Sequence, residues 1–302
     1  MGFFSDPLKR RPTQPPGRVA IRPRRVEFDW DTAPLVWLPN EPIASYVLSS
    51  LNLVIPEGER MMIQAFHEAL PQVRDEKLRE DMLGFIGQEQ LHAEAHDAVM
   101  NQVFSRHGIN PIAFSNQMQY FFRKTLGVGS SADPRANQQR LIERLGIAAS
   151  AEHMFAFMGD WALNADLEQF GADPQMLDLY RWHGAEEVEH RAVAHEVAAY
   201  FGTGYMRRSI SMIITWPIFI GWLLRAAMYL NRNDPSTPNI GYPRFIFGVI
   251  SATRRGLLPG LSKWFWSGLS TFVPGFHPDS VGSTAQALAY VAQSPAAKQV
   301  HA

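Results

Sequence analysis

From about Ser45 to Phe201 apolar residues recur every three or four positions, in blocks divided by Pro, Gly and Asp breakers. No alternating apolar–polar run competes with them, so the pattern predicts an all-α chain. Pro56 suits the first turn of a helix that runs to Leu70, and Pro71 closes it. A second helix spans Asp75 to Arg106 and stops before Gly108, Asn110 and Pro111. The third covers Ile112 to Leu126 and is followed by the breaker run Gly127 to Pro134. A long helix then occupies Arg135 to Phe170; Gly171, Asp173 and Pro174 turn the chain, and another helix runs from Gln175 to Phe201.

The pattern changes after residue 205. Ser209 to Leu224 is uncharged and apolar, with Arg207, Arg208 and Arg225 at its ends. Its 16 residues fall short of a membrane span and include Pro217. Phe245 to Phe276 mixes Trp264, Trp266 and several Phe with Arg254, Arg255 and Lys263, a combination suited to a membrane interface or to a cap over a bundle. Three roles are open for this region: peripheral membrane contact, a cap or homodimer interface, or a true span. The expected organisation is a basic Pro-rich arm (1–30), a helical bundle (31–205), an apolar and aromatic helical region (206–280) and a flexible tail (281–302).

Composition narrows the chemistry. With 302 residues, 46% of them hydrophobic, the chain can bury a large core. A formal charge of -1 gives no general attraction to nucleic acid. The one basic patch, with Lys9, Arg10, Arg11, Arg18, Arg22, Arg24 and Arg25 among prolines, reads as a solvated or surface-wrapped arm, or as a contact for anionic lipid headgroups. No secretory signal follows Met1, which points to a cytoplasmic chain with a role at the inner face of the membrane as an option. Cysteine is absent, so disulfides, thiolate metal sites and cysteine nucleophiles are excluded, and any metal must sit on His, Asp and Glu.

Two Glu-x-x-His motifs supply such ligands: Glu89 with His92, and Glu187 with His190. Residues three apart share a helix face, so each pair can reach one point. One such motif alone is usually a solvated face. Here each has a carboxylate partner on the preceding helix. Glu59 lies about 16 residues before the turn near Asp75 and Glu89 about 14 after it, which makes them level in an antiparallel pair. Glu68 would sit too near the loop. Glu152 and Glu187 flank the turn near Ala172 and agree in height to about one helical turn. The order Glu, Glu-x-x-His, Glu, Glu-x-x-His is that of di-iron and di-manganese carboxylate bundles. It predicts a ferritin-like four-helix bundle with two iron ions, manganese or a mixed Mn/Fe pair being the alternatives.

Further histidines fall in register. His183 lies four residues before Glu187, and His96 four after His92, so His183 is a candidate ligand and His96 a ligand or a support for one. His153 points elsewhere on an ideal helix; His67, His107 and His195 default to structural roles. Phe85, Phe155, Phe157 and Trp182 are candidate walls of a substrate pocket, though plain core is the commoner role of such residues.

At these positions the chain resembles the bacterial "predicted metal-dependent hydrolase" family, through PEGER (Pro56 to Arg60), FIGQEQLHAEAH (Phe85 to His96), AEH (Ala151 to His153), WHGAEEVEH (Trp182 to His190) and FHP (Phe276 to Pro278). The resemblance runs from about Arg25 to Pro278. The spacing His183-x-x-x-Glu187-x-x-His190 is also similar to the last metal-bearing helix of di-iron arylamine N-oxygenases, whose extra histidine binds iron. That similarity implies oxygen chemistry, with O2, an electron donor and a small hydrophobic or aromatic substrate as partners. The alternatives are hydrolysis by a two-metal-activated water, which the family name implies, and metal binding without organic catalysis.

Overall fold

The computed structural model describes residues 20–299. Among the described residues the regular structure is helical throughout, and no strand occurs. The α-helices are α1 (Pro42–Ser49), α2 (Leu51–Ala69), α3 (Glu76–Ala98), α4 (Ile112–Leu126), α5 (Pro134–Asn164), α6 (Pro174–His190), α7 (Val193–Tyr200), α8 (Tyr205–Asn233), α9 (Tyr242–Arg254), α10 (Leu261–Ser270), α11 (Thr284–Val291) and α12 (Pro295–Gln299). Aspartates open the helices that matter most for the site. Asp75 Oδ1 accepts from the Leu78 amide at 2.9 Å, and Asp133 and Asp173 do the same for the first turns of α5 and α6, each followed by Pro at the first helical position.

Four helices close a ring: α2 packs on α3, α3 on α6, α6 on α5 and α5 on α2. Aromatic stacking registers the first pair, with the Phe66 and Phe85 rings 4.4 Å apart. Glycine registers the second. A Cβ on Gly159 would overlap the backbone of Gly184, and one on Gly184 would overlap that of Gly159, so α5 and α6 touch there. Glu152 lies two turns from that contact along α5 and Glu187 one turn along α6, on the same faces. The left-handed turn at Gly171 (φ 73°) reverses the chain between them.

Several boundaries differ from the sequence pattern. α2 begins at Leu51 and carries Pro56 in its interior. Leu51 to Pro56 are buried on every side and follow α1 after one helical residue, Ser50, so the hydrophobic pattern there has no period to mark a start. The helix expected to reach Phe201 breaks right after His190, where the Arg191 guanidinium donates to the Val188 carbonyl. Where a flexible tail is expected (281–302), the described part, to residue 299, has α11 and α12 docked on α6: the Asp178 carboxylate accepts from Tyr290 Oη (2.8 Å), Ser294 Oγ (3.1 Å) and the Ala296 amide (2.9 Å). A buried acceptor with three donors outweighs the small apolar area of so short a segment.

The basic patch at Lys9, Arg10, Arg11 and Arg18 lies outside the described residues. Where the arm is described it wraps on α3. Cβ atoms at Gly84 and Gly87 would collide with Ile21 and Pro23, so these two glycines, one turn apart, are a groove for the arm. The long helix α8 has the length and composition to cross a membrane, but its face bearing Met212, Phe219, Leu223 and Ala226 is buried. It packs on α1, α2 and α5 and runs along the bundle.

Candidate metal centre

The ring of four helices directs Glu59 (α2), Glu89 and His92 (α3), Glu152 (α5) and Glu187 and His190 (α6) to one buried point, and brings His183 with them. His190 Nε2 lies 3.0 Å from Glu152 Oε2, 3.1 Å from Glu187 Oε2 and 3.4 Å from Glu89 Oε1. His92 Nδ1 stands 3.6 Å from Glu89 Oε1 and 3.5 Å from Glu187 Oε1, while His183 Nε2 is 2.7 Å from Glu187 Oε1 and 3.6 Å from Glu59 Oε1. These distances sort into two groups that share Glu89 and Glu187. One adds Glu152 and His190; the other adds Glu59, His92 and His183.

The outer nitrogen of each imidazole is held by protein. His190 Nδ1 meets Gln88 Oε1 at 2.9 Å, and His92 Nε2 meets Glu186 Oε2 at 3.0 Å. The third chain is longer. Tyr180 Oη donates to the Leu48 carbonyl and accepts from Asn52 Nδ2, which leaves Asn52 Oδ1 to accept from His96 Nδ1 at 2.7 Å. His96 Nε2 then accepts from His183 Nδ1 at 2.6 Å, so the inward Nε2 of His183 carries its lone pair. His96 therefore stands behind His183 and orients it. In each case a protein acceptor takes the outer N–H, so the inner nitrogen is the one that would be bare toward a bound cation.

Behind this layer lies a cation that the sequence does not single out. Arg24 Nη1 donates to Glu186 Oε1 (2.9 Å) and Glu189 Oε2 (2.6 Å), and Nη2 to Glu189 Oε1 (2.8 Å). Gln88 Nε2 also donates to Glu189 Oε2, at 2.9 Å. One guanidinium thus reaches His92 through Glu186 and His190 through Glu189 and Gln88. The Gly84–Gly87 groove is what lets the arm bring Arg24 to this place.

The inner residues are a poor fit to one another and a good fit to cations. Both oxygens of Glu59, Glu89 and Glu152, and Nδ1 of His92, are buried without a hydrogen-bond partner. Unpaired buried carboxylates are costly, and two divalent cations balance the four carboxylates. Burial, reinforced by Glu89 around Glu59 and by Glu187 around Glu89 and Glu152, pushes these three carboxyls above their ordinary range. Glu187 goes the other way: His190, His183 and His92 outweigh its burial and hold it low. Burial and the neighbouring His92 pull His183 down to about 4, which keeps the imidazole neutral and able to ligate.

Other sequence candidates are elsewhere. Glu68 pairs with Arg144 at 2.5 Å, as its height implies. His153 Nε2 donates to the Ser267 carbonyl, His107 Nε2 to that of Ala33, and His195 packs edge-on to Phe276; His67 is exposed. Trp182 packs on His92 and Phe85 on His190, whereas Phe157 faces Trp264 on α10. A narrow cavity of ≈ 40 Å³ abuts His183 and Glu187, walled by Leu51, Ile55, Phe155 and Gly159 among others.

No curated protein and no solved structure matches the chain. A family model does: it extends over residues 22–282, from the arm that carries Arg24 to the turn before α11, and takes in every residue of the cluster. The chain belongs to the family described as predicted metal-dependent hydrolase.

Proposed function

We propose that the protein is a non-haem di-iron oxidoreductase of the monooxygenase type, which activates O2 for reaction with a hydrophobic substrate. Glu89 and Glu187 would be shared by two ions, with Glu152 and His190 completing one position and Glu59, His92 and His183 the other. Iron suits this mixed carboxylate and imidazole set, manganese or a Mn/Fe pair being the alternative, and when bound it would supply electron transfer to O2. The chain's own part is to orient three imidazoles, to exclude water and to admit an apolar molecule along the cavity beside His183.

The observation that carries this reading is the nature of that cavity. Beyond His96, His183, Glu187, the indole of Trp161 and the Tyr180 hydroxyl, which is already engaged, its wall is apolar. Such a wall suits the approach of O2 and an apolar molecule, whereas an ester or amide substrate is usually oriented by polar groups beside the scissile carbonyl, of which this wall has few. The family description favours the second reading, a two-metal hydrolase. Iron loading under argon followed by a measured dose of O2 separates them. Oxygen uptake with conversion of bound ferrous to ferric iron, read by Mössbauer spectroscopy, supports the oxidoreductase. Iron that stays ferrous, together with ester or amide cleavage by the zinc-loaded protein under argon, supports the hydrolase.

A further inference from the structure

A second, larger cavity of ≈ 210 Å³ lies between α2, α4, α5 and α8. Its wall is aliphatic and aromatic apart from the hydroxyls of Thr125 and Thr215, and Thr125 Oγ1 is taken up by the Phe121 carbonyl. Ile55 and Phe155 line both this cavity and the one beside His183 and Glu187, so a single layer of side chains divides them. At the opposite end Ile214 and Ile218 belong to the wall yet are 48% and 41% exposed, which puts the mouth on α8. There they join Met206, Ile210, Ile213 and Pro217 in an exposed apolar stripe at helical spacing. α10 crosses α8 beside the stripe, where Trp216 fills the place of a Cβ on Gly268, and adds exposed Phe265 and Trp266.

We propose that this cavity is an acyl-chain site, filled by an unbranched hydrocarbon chain from an anionic lipid surface on which the α8 stripe rests. The proposal rests on the oxygen-activating reading for its purpose, but the binding it describes needs no metal. Size selects the ligand: the space beyond Ile55 and Phe155 is only ≈ 40 Å³, so a group that turns those two side chains aside to reach His183 has to be as slender as a linear chain, and a fused ring or branched chain is too wide. Charge selects the source. Between Glu196 and Asp279 the chain has eight Arg and Lys residues against one acid, Asp234, which is buried and accepts from Tyr46, although the whole chain is close to neutral. Arg255 is paired with Glu41, but on α8 itself Arg207, Arg208 and Arg225 bracket the stripe, and apolar side chains flanked by cations match a bilayer with anionic headgroups. A chain entering by this mouth leaves the bilayer without crossing water.

The test uses the full-length, metal-free protein, so it is independent of the redox chemistry. cis-Parinaric acid should bind one per chain with a rise in fluorescence, and dodecanoate should displace it. Ile147→Trp, which fills the cavity from α5, should weaken binding about ten-fold or more with little change in melting temperature. If that variant melts early, Thr125→Trp fills the same space from an exposed position on α4. Ile213→Asp, on the stripe but outside the cavity wall, should leave the free acid bound but cut flotation with phosphatidylglycerol vesicles about ten-fold relative to wild type, while phosphatidylcholine vesicles bind neither protein. Unchanged parinaric binding in both Trp variants overturns the site. Displacement by a sterol in preference to dodecanoate overturns the linear chain. Wild-type protein that ignores anionic vesicles and sediments as a dimer overturns the lipid surface. A protein that binds the acid as stated yet never oxidises iron leaves the site standing and removes only the oxidoreductase.

Discussion

The two halves of the cluster share Glu89 and Glu187 but are not equivalent. The half with Glu152 has one imidazole, His190, whose outer nitrogen rests on the neutral amide of Gln88. The half with Glu59 has two, His92 and His183; His92 is backed by the Glu186 carboxylate and His183 by His96 and Asn52. A carboxylate behind an imidazole makes its inner nitrogen a stronger donor, whereas an amide only orients it. The nitrogen-rich half also abuts the apolar cavity. The fold thus gives the more strongly donating position to the side where an apolar molecule can arrive; the other position has as many carboxylates, three, and a single imidazole.

The largest effect tests whether the halves are joined. Glu187→Ala removes a shared carboxylate and should reduce bound metal from about two ions per chain to well under one, measured by elemental analysis after gel filtration. One ion retained at full strength would mean that the halves are independent. The next pair of variants tests whether they differ. Glu152→Gln and Glu59→Gln should each leave about one ion, and X-ray absorption should count two imidazoles on the ion left in the first variant and one in the second. Equal counts would erase the distinction.

Removing the metals sets protons against cations. Without metal, His92 and His190 are held well above the usual imidazole value of 6.5 by the carboxylates around them, despite burial, and Glu59 and Glu152 lie well above the usual carboxylate value. A raised folded pKa gives stability that is full below the unfolded value and lost as pH rises through the folded one. His96 and His183, pulled down by burial, act in the opposite sense below 6.5. Above about pH 6.5 the metal-free protein should therefore lose melting temperature as pH rises, and the shift produced by metal should grow over the same range. Calorimetry of both forms at three pH values checks it; a metal-induced shift that shrinks with pH would contradict the ligand assignment.

The gathered carboxylates were legible because helix rise turns residue counts into heights. That argument selects Glu59 over Glu68, and the structure sends Glu68 to Arg144. It needs only short turns, which Pro71, Gly171 and Pro174 supply in the sequence. What surrounds the cluster was not legible, because it depends on which faces oppose and on contacts far apart in the chain. Asn52 meets His96 across 44 residues and Arg24 meets Glu189 across 165. Two weak signals did exist. Glu186 and Glu189 are surplus acids on a helix that buries most of its residues, and Gly84 with Gly87 marks a groove on α3 where helix propensity alone would not place glycine. The docked tail was hidden for a related reason: Asp178 is an ordinary polar residue until Tyr290, Ser294 and Ala296 are folded against it.

The smallest expected effect concerns a cation behind the cluster that reaches both halves. Arg24 touches Glu186, which backs His92, and Glu189, which through Gln88 backs His190. Its guanidinium side chain is 25% exposed, so solvent screens part of its charge and the pairing is worth less than a buried one. Arg24→Gln removes the charge and keeps a donor of shorter reach. The fold should survive, because Ile21 and Pro23 still fill the groove on α3. Metal affinity should fall about ten-fold or less, the low end of what loss of a supporting partner costs. The two halves should not suffer alike. Glu186, freed from Arg24, becomes a stronger acceptor for His92, whereas Gln88 keeps the Arg22 carbonyl but loses a fixed Glu189, which loosens the amide on which His190 rests. Competition with a chelator, followed step by step, should show the ion beside Glu152 leaving more readily than in the wild type while the ion beside Glu59 is released as before. Equal weakening of both would show that Arg24 acts only through the local potential and that the asymmetry resides wholly in the imidazoles.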